Sequence, residues 1–156
     1  MFVPIIMGSK SDLDHGRKIQ AALEVFGLRS ELRIASAHKA TTFCLGVLEA
    51  YEADPTPKVY ITVAGRSNAL SAVVDAHVCA PVIACPPYSD QFGGADIFSS
   101  LRMPGGIAPA VVTAPEGAAM LAAKMLSLHD PALRDKVRAA QQANTDTIVA
   151  DDAALQ

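Results

Sequence analysis

Cysteine is scarce in this sequence, and its spacing excludes two kinds of scaffold. Cys44, Cys79 and Cys85 are an odd number and contain no Cys-x-x-Cys pair, which argues against a disulfide framework and a zinc site and fits a reducing compartment. Long apolar runs are also missing: a stretch such as Ala108 to Ala114 falls far short of the about 20 residues that a membrane span needs. Positive charge is not in excess. Thirteen Lys and Arg stand against 16 Asp and Glu, giving a net charge of −3, and no basic stripe interleaves with aromatics. Nucleic acid is therefore a poor partner, and any phosphate must be held locally. Met1-Phe2-Val3-Pro4 runs into a strand with no basic segment or apolar leader, so a cytoplasmic location is expected. Gly8-Ser9-Lys10-Ser11-Asp12 lacks the Gly-Lys-Ser/Thr ending of a Walker loop.

What remains is an apolar chain of 156 residues, 51% hydrophobic and 19% charged. That length fits one domain, 1–156, able to bury roughly two thirds of its unfolded surface without disulfides or metals. The apolar surplus points to a subunit partner. β-branched and aliphatic runs recur at Val3 to Met7, Glu31 to Ile34, Lys58 to Val63, Pro81 to Ala84 and Ala110 to Thr113. Between the first two, Ile19, Ala22, Leu23 and Phe26 mark one face of a helix that Gly27 stops. Further helices are expected at Thr41 to Ala53 (stripe Phe43, Val47, Leu48, Tyr51), Leu70 to Ala76, Pro115 to Leu126 and Pro131 to about Val149. Strands separated by helices must run parallel with right-handed crossovers. The expected fold is a three-layer αβα sandwich, a flavodoxin-like five-stranded parallel sheet in the order 2-1-3-4-5. The last helix, with a narrow stripe of Leu133, Val137, Ala140 and Ile148, is expected to extend to a neighbouring subunit, so that 130–156 serves oligomerisation. A solvated, partly frayed tail at 151–156 is the other reading.

In such a sheet the strand-to-helix loops share one edge, which brings sequence-distant polar motifs together. Ser36-Ala37-His38-Lys39 places a hydroxyl, an imidazole and an ammonium at the exit of the second strand, where an anion can be bound and a proton moved. Gly8 to Asp12 offers serines and helix N–H groups to an anion, while Asp12 suits ribose hydroxyls better than phosphate. The same residues also fit a helix cap, with Ser11-x-x-Asp14 as a capping box. Gly65-Arg66-Ser67-Asn68 offers donors to a ligand, or else caps the next helix through Ser67 or Asn68 with Arg66 in an ion pair. Cys85, followed by two prolines, reads as a buried structural thiol rather than a partner of His38. Asp96 to Met103, leading into Pro104-Gly105-Gly106, reads as a wall and turn over the cleft. His15, His77 and His129 sit where a surface or satisfied histidine is the default.

Together, Gly8-Ser9-Lys10-Ser11-Asp12, Ser36-Ala37-His38-Lys39, Ala64-Gly65-Arg66-Ser67-Asn68, Cys85-Pro86-Pro87 and Ser99-Ser100-Leu101-Arg102-Met103-Pro104 resemble the phosphoribosylaminoimidazole carboxylase family of purine biosynthesis, often called PurE. The match is colinear and spans nearly the whole chain. Members that rearrange N5-carboxyaminoimidazole ribonucleotide usually read Ser-Ala-His-Arg and carry Gly-Gly-Ala-Ala-His after strand three. Lys39 and Arg66-Ser67-Asn68 instead make this chain look like the second class, which carboxylates 5-aminoimidazole ribonucleotide (AIR) directly with CO2. The resemblance implies no cofactor and no metal, AIR and CO2 as small-molecule partners, and a homo-octamer built partly from the C-terminal helix. It implies Ser9, Ser11, Ser36 and Lys39 on the 5′-phosphate, Asp12 on the ribose, Gly65 and Ser67 as donors to substrate, Ser67 and Asn68 at CO2, and His38 as the acid–base group. Animal members read Ser-Asn-Gly-Leu-Gly where this chain has Ser67-Asn68-Ala69-Leu70-Ser71, an added methyl and hydroxyl that leave the proposed donors untouched. Two further readings use the same residues: the N5-carboxyaminoimidazole ribonucleotide mutase, and a nucleotide-binding flavodoxin-like module without catalysis.

Overall fold

A computed structural model describes residues 1–156. Its strands are β1 (Phe2–Met7), β2 (Arg29–Ile34), β3 (Tyr60–Val63), β4 (Val82–Ala84) and β5 (Ala110–Val111). The helices are α1 (Leu13–Val25), α2 (Thr41–Glu52), α3 (Ala69–His77), α4 (Phe98–Leu101), α5 (Pro115–Leu126) and α6 (Pro131–Ala153). All strand pairs are parallel in the order β2-β1-β3-β4-β5, as the alternation of strands and helices requires. The fold is thus the expected flavodoxin-like α/β sandwich. No helix is long and apolar enough to cross a membrane.

Every residue of β1, β3 and β4 is buried, the pattern of parallel strands covered on both faces. One core lies between the sheet and α1 with α5, built on Ile5, Ile19, Leu23, Ile61 and Ala119. The other lies between the sheet and α2 with α3, built on Ile6, Leu48, Tyr60 and Val74. Gly27 ends the first helix as expected: its φ of 69° is left-handed, and the Leu28 amide reaches back to the Leu23 carbonyl at 3.2 Å.

Three expectations need correction. The buried stripe of α2 runs through Cys44, Val47 and Leu48, and Phe43 is exposed, because the helix turns its cysteine rather than its aromatic toward the sheet. Pro131 begins α6, but the helix runs on to Ala153 rather than ending near Val149, and residues 151–156 are exposed. Leu133 and Val137 of α6 are buried in this chain's own core, and it is the distal part, with Ile148 and Val149, that stands exposed.

His15 also has a role that its sequence setting did not suggest. It projects from α1 so that Nε2 lies 3.4 Å from Cys85 Sγ, while Sγ lies 3.7 Å from the Thr113 carbonyl. A thiol that donates to Thr113 leaves its lone pairs to accept from the His15 Nε2–H. Cys85 is fully buried; burial, with the nearby Glu116 carboxylate, pushes its thiol up to about 12. It is the structural thiol expected, paired with His15 rather than His38. Burial, reinforced by Lys18, lowers the His15 pKa from its ordinary 6.5 and favours the neutral ring. The unfolded chain therefore takes up this proton before the folded one does, and stability falls as pH drops below 6.5. His15→Gln keeps a donor but cannot titrate. The loss of urea midpoint between pH 7.5 and pH 5.5 is expected to be smaller in this variant than in the parent; equal losses would refute the assignment.

Candidate active site

The carboxyl ends of β1, β2 and β3 open into one cleft of about 590 Å³. The strand order dictates its position: β1 is flanked by β2 and β3, and the chain leaves all three strands on the same edge. Ser9, Ser11, Asp12, Ser36, His38, Lys39, Gly65 and Ser67, drawn from three loops, all line it. Asn68 does not.

After β1 the backbone makes a short turn over Lys10–Asp12 before α1 begins. The Ser9 amide donates to Asp12 Oδ2 at 2.9 Å, the Ser9 hydroxyl lies 3.2 Å from the same oxygen, and the Ser9 and Ser11 hydroxyls are 2.6 Å apart. The local cap is thus Ser9 with Asp12, not Ser11 with Asp14. It holds the Asp12 carboxylate by one oxygen and leaves Oδ1 to accept from a ligand hydroxyl.

After β2 the chain folds into a tight turn. The Ala40 amide reaches the Ser36 carbonyl at 3.0 Å and the Lys39 amide reaches the Ser36 hydroxyl at 3.2 Å. Because Ser36 Oγ already accepts, its own O–H can point outward as a donor. His38 and Lys39 are exposed on the rim, and neither side chain has a hydrogen-bond or ion-pair partner within the chain. Both imidazole nitrogens and the ammonium are open to a ligand.

After β3 comes a turn whose middle residue, Arg66, has a left-handed φ of 58°. The amides of Gly65 and Ser67 have no partner in the chain, nor has the Ser67 hydroxyl. Two unpaired N–H groups at a cleft are suited to an anionic oxygen. Asn68, expected at CO2, is instead 3% exposed, with Oδ1 accepting from the Ser71 amide at 3.1 Å and Nδ2 donating to Ser100 Oγ at 2.9 Å. It is the N-cap of α3, and both ends of its amide are already engaged. The expected Arg66 ion pair is not formed either; its backbone amide, rather than its guanidinium, meets a carboxylate, Asp96 Oδ2 at 3.3 Å.

The far wall comes from the segment after β4. Pro87, Ser89, Gln91 and Asp96 line the cleft, but the Pro104-Gly105-Gly106 turn does not. Nearby, the Ala108 amide is tied at 2.8 Å to Asp75 of α3, away from the cleft. The sequence assigns Asp96 no role of its own. The only signal was its place at the start of the segment read as a wall. No group of three or more His, Cys, Asp or Glu side chains is arranged to hold a metal ion.

Comparison with known proteins gives the same direction along the whole chain. The profile of the AIR carboxylase family matches residues 2–147. The chain is 51% identical over 154 residues to the phosphoribosylaminoimidazole carboxylase of Treponema denticola, covering 99% of this chain and 97% of that protein. It is 56% identical over 133 residues to the protein of the same name from Archaeoglobus fulgidus, covering 85% and 73%. A human bifunctional phosphoribosylaminoimidazole carboxylase/phosphoribosylaminoimidazole succinocarboxamide synthetase is 43% identical over 137 residues, but this chain spans only 32% of its length. The crystal structure of Treponema denticola PurE superposes with a TM-score of 0.98 at 50% identity, covering 99% of this chain and 98% of that one. A cleft assembled from the loops that carry the family's motifs, on a fold shared nearly residue for residue, leaves one conclusion: the chain is an enzyme of the AIR carboxylase family.

Proposed function

We propose that the chain carboxylates AIR at C4 with CO2 taken directly from solution, reversibly and without a cofactor, as a step of purine biosynthesis. The observation that carries this reading is the convergence in one cleft of an unpartnered imidazole, a rim ammonium with outward hydroxyls, and two unpaired amides. Lys39 and Arg66-Ser67-Asn68, in place of the arginine and the Gly-Gly-Ala-Ala-His stretch of the rearranging class, support CO2 as the carbon source.

In this mechanism the 5′-phosphate lies against Ser9, Ser11, Ser36 and Lys39, and Asp12 accepts from the ribose through its open oxygen. The substrate is an enamine whose C4 is nucleophilic once CO2 is held against it. The enamine electron pair forms the new carbon–carbon bond, and one C=O pair of CO2 moves onto oxygen as the carboxylate develops. Gly65 and Ser67 donate to that oxygen. C4 is then tetrahedral and must lose its proton, which His38 accepts and returns in the reverse decarboxylation. Exposure and the lack of partners leave both nitrogens of that imidazole open to the substrate. The proposal includes a homo-octamer to which 130–156 contributes, since self-assembly would cover the apolar Ile148 and Val149 on distal α6. The mass in solution by light scattering tests this.

Labelled CO2 supplied with AIR is expected to enter the product, whereas the N5-carboxylated nucleotide is expected not to be consumed; the opposite pattern identifies a mutase, and ribonucleotide binding with neither reaction a non-catalytic module. His38→Asn should lower kcat by about 10²- to 10⁴-fold while AIR binding changes little. Retention of most of the turnover would rule out the acid–base role. Lys39→Ala should raise KM for AIR by about 10- to 10²-fold, the scale of one hydrogen bond to a charged group, with a smaller effect on kcat. An unchanged KM would contradict the phosphate assignment.

A further inference from the structure

Amides alternate along the loop after β3. Those of Gly65 and Ser67 are unpaired, while those of Arg66 and Asn68 are tied to the segment that follows β4. Arg66 N–H donates to Asp96 Oδ2 at 3.3 Å, and Asn68 N–H donates to Ser99 Oγ at 2.9 Å. The Ser99 hydroxyl in turn lies 2.7 Å from the Asp96 carbonyl and 3.2 Å from that of Arg66, so its single proton stays within the same cluster. Asn68 Nδ2 to Ser100 Oγ at 2.9 Å completes the contact. Apart from the Ala69 amide, which reaches the Ser67 carbonyl at 3.0 Å, this loop is clasped from outside. It needs such a clasp because Arg66, with φ 58°, adopts a left-handed conformation that a side chain disfavours and that persists only where the surroundings impose it.

We infer that Asp96 and Ser99 are positioning residues: by holding the amides of Arg66 and Asn68 they fix the left-handed turn and so turn the intervening Gly65 and Ser67 amides toward the reacting carboxylate. This inference rests on the reading of Gly65 and Ser67 as donors to CO2. Asp96 lines the cleft itself, and an anion there would oppose a developing carboxylate if it faced it freely. Its engagement by the Arg66 amide gives it a different task. What Asp96 supplies is an acceptor oxygen at a fixed place, not its charge, and an amide side chain can supply the same oxygen.

The test compares Asp96→Ala with Asp96→Asn. The alanine variant should lower kcat by about 10²-fold, the cost of a displacement of about 1 Å at a reacting centre. KM for AIR should stay within about twofold, because the phosphate and ribose groups lie on other loops and lose nothing. Asp96→Asn should recover most of the turnover. Hydrogen–deuterium exchange of the peptide 64–70 should be faster in Asp96→Ala and near the parent rate in Asp96→Asn. An asparagine variant as slow as alanine would overturn the inference, since charge or proton transfer would then be the role of Asp96. Unchanged exchange in Asp96→Ala would overturn it as well. Faster exchange with unaltered turnover would uphold Asp96 as holder of the turn and overturn the assignment of Gly65 and Ser67 to CO2. If Asp96→Ala does not fold, Ser99→Ala carries the same comparison, with Ser99→Thr as the variant that restores the hydroxyl.

Discussion

Burial of the sheet on both faces is the constraint from which the rest of the molecule follows. β1, β3 and β4 are covered by helices above and below, so no polar side chain on them can reach water through a face. Polar chemistry is pushed to an edge. Parallel strands share their carboxyl edge, and there the backbone leaves hydrogen-bonded order with its donors unassigned. The break in winding direction at β1 and β3 parts the adjoining loops enough to leave a cleft, which is why Ser9, His38 and Gly65, far apart in sequence, line a single cavity.

Within that cleft the useful groups are those the fold leaves over. Asp12 is held by one oxygen and offers the other; Ser36 accepts from Lys39 and offers its proton; the Gly65 and Ser67 amides are left unpaired. Each half-used group is oriented by the half that is used. In the proposed reading, such preorganisation would spare the cleft the cost of ordering its own side chains around an anion. His38 is the contrast, because nothing in the chain orients it. In the proposed mechanism that task falls to bound substrate, as for catalytic hydrogen bonds that form only in a loaded site.

Much of this was legible in the sequence, for reasons that are local. The Ile19, Leu23, Phe26 stripe with Gly27 behind it reports burial on one face, and buried β-branched runs between helices leave parallel pairing as the only arrangement. Ser36, His38 and Lys39 at a strand exit meet the loops after β1 and β3, as expected, because the fold guarantees that strand exits share an edge. What failed were particular inferences about which way a side chain points. Phe43 and Cys44 are adjacent, and the helical phase that buries one exposes the other by about 100° of rotation. Asn68 looked like an available donor because sequence shows an amide but not Ser71 and Ser100 on either side of it. His15 and Cys85 are 70 residues apart, a separation over which no periodicity carries information.

Asp96 is the case where legibility ends for a physical reason. Its contact is with a backbone amide, and a backbone amide looks the same at every position in a sequence. Only the left-handed φ at Arg66 makes that amide need an external acceptor, and a left-handed arginine has no signature in residue type, unlike the left-handed Gly27. A glycine at 66 would adopt the turn readily but would also leave it readily. Arginine held by Asp96 gives a turn whose alternatives are sterically limited on one side and whose chosen state is hydrogen-bonded on the other. The donors at Gly65 and Ser67 then belong to a fixed frame, and the segment after β4, itself bent through left-handed Phe92, Gly93 and Gly94, becomes part of the cleft's geometry as well as its wall.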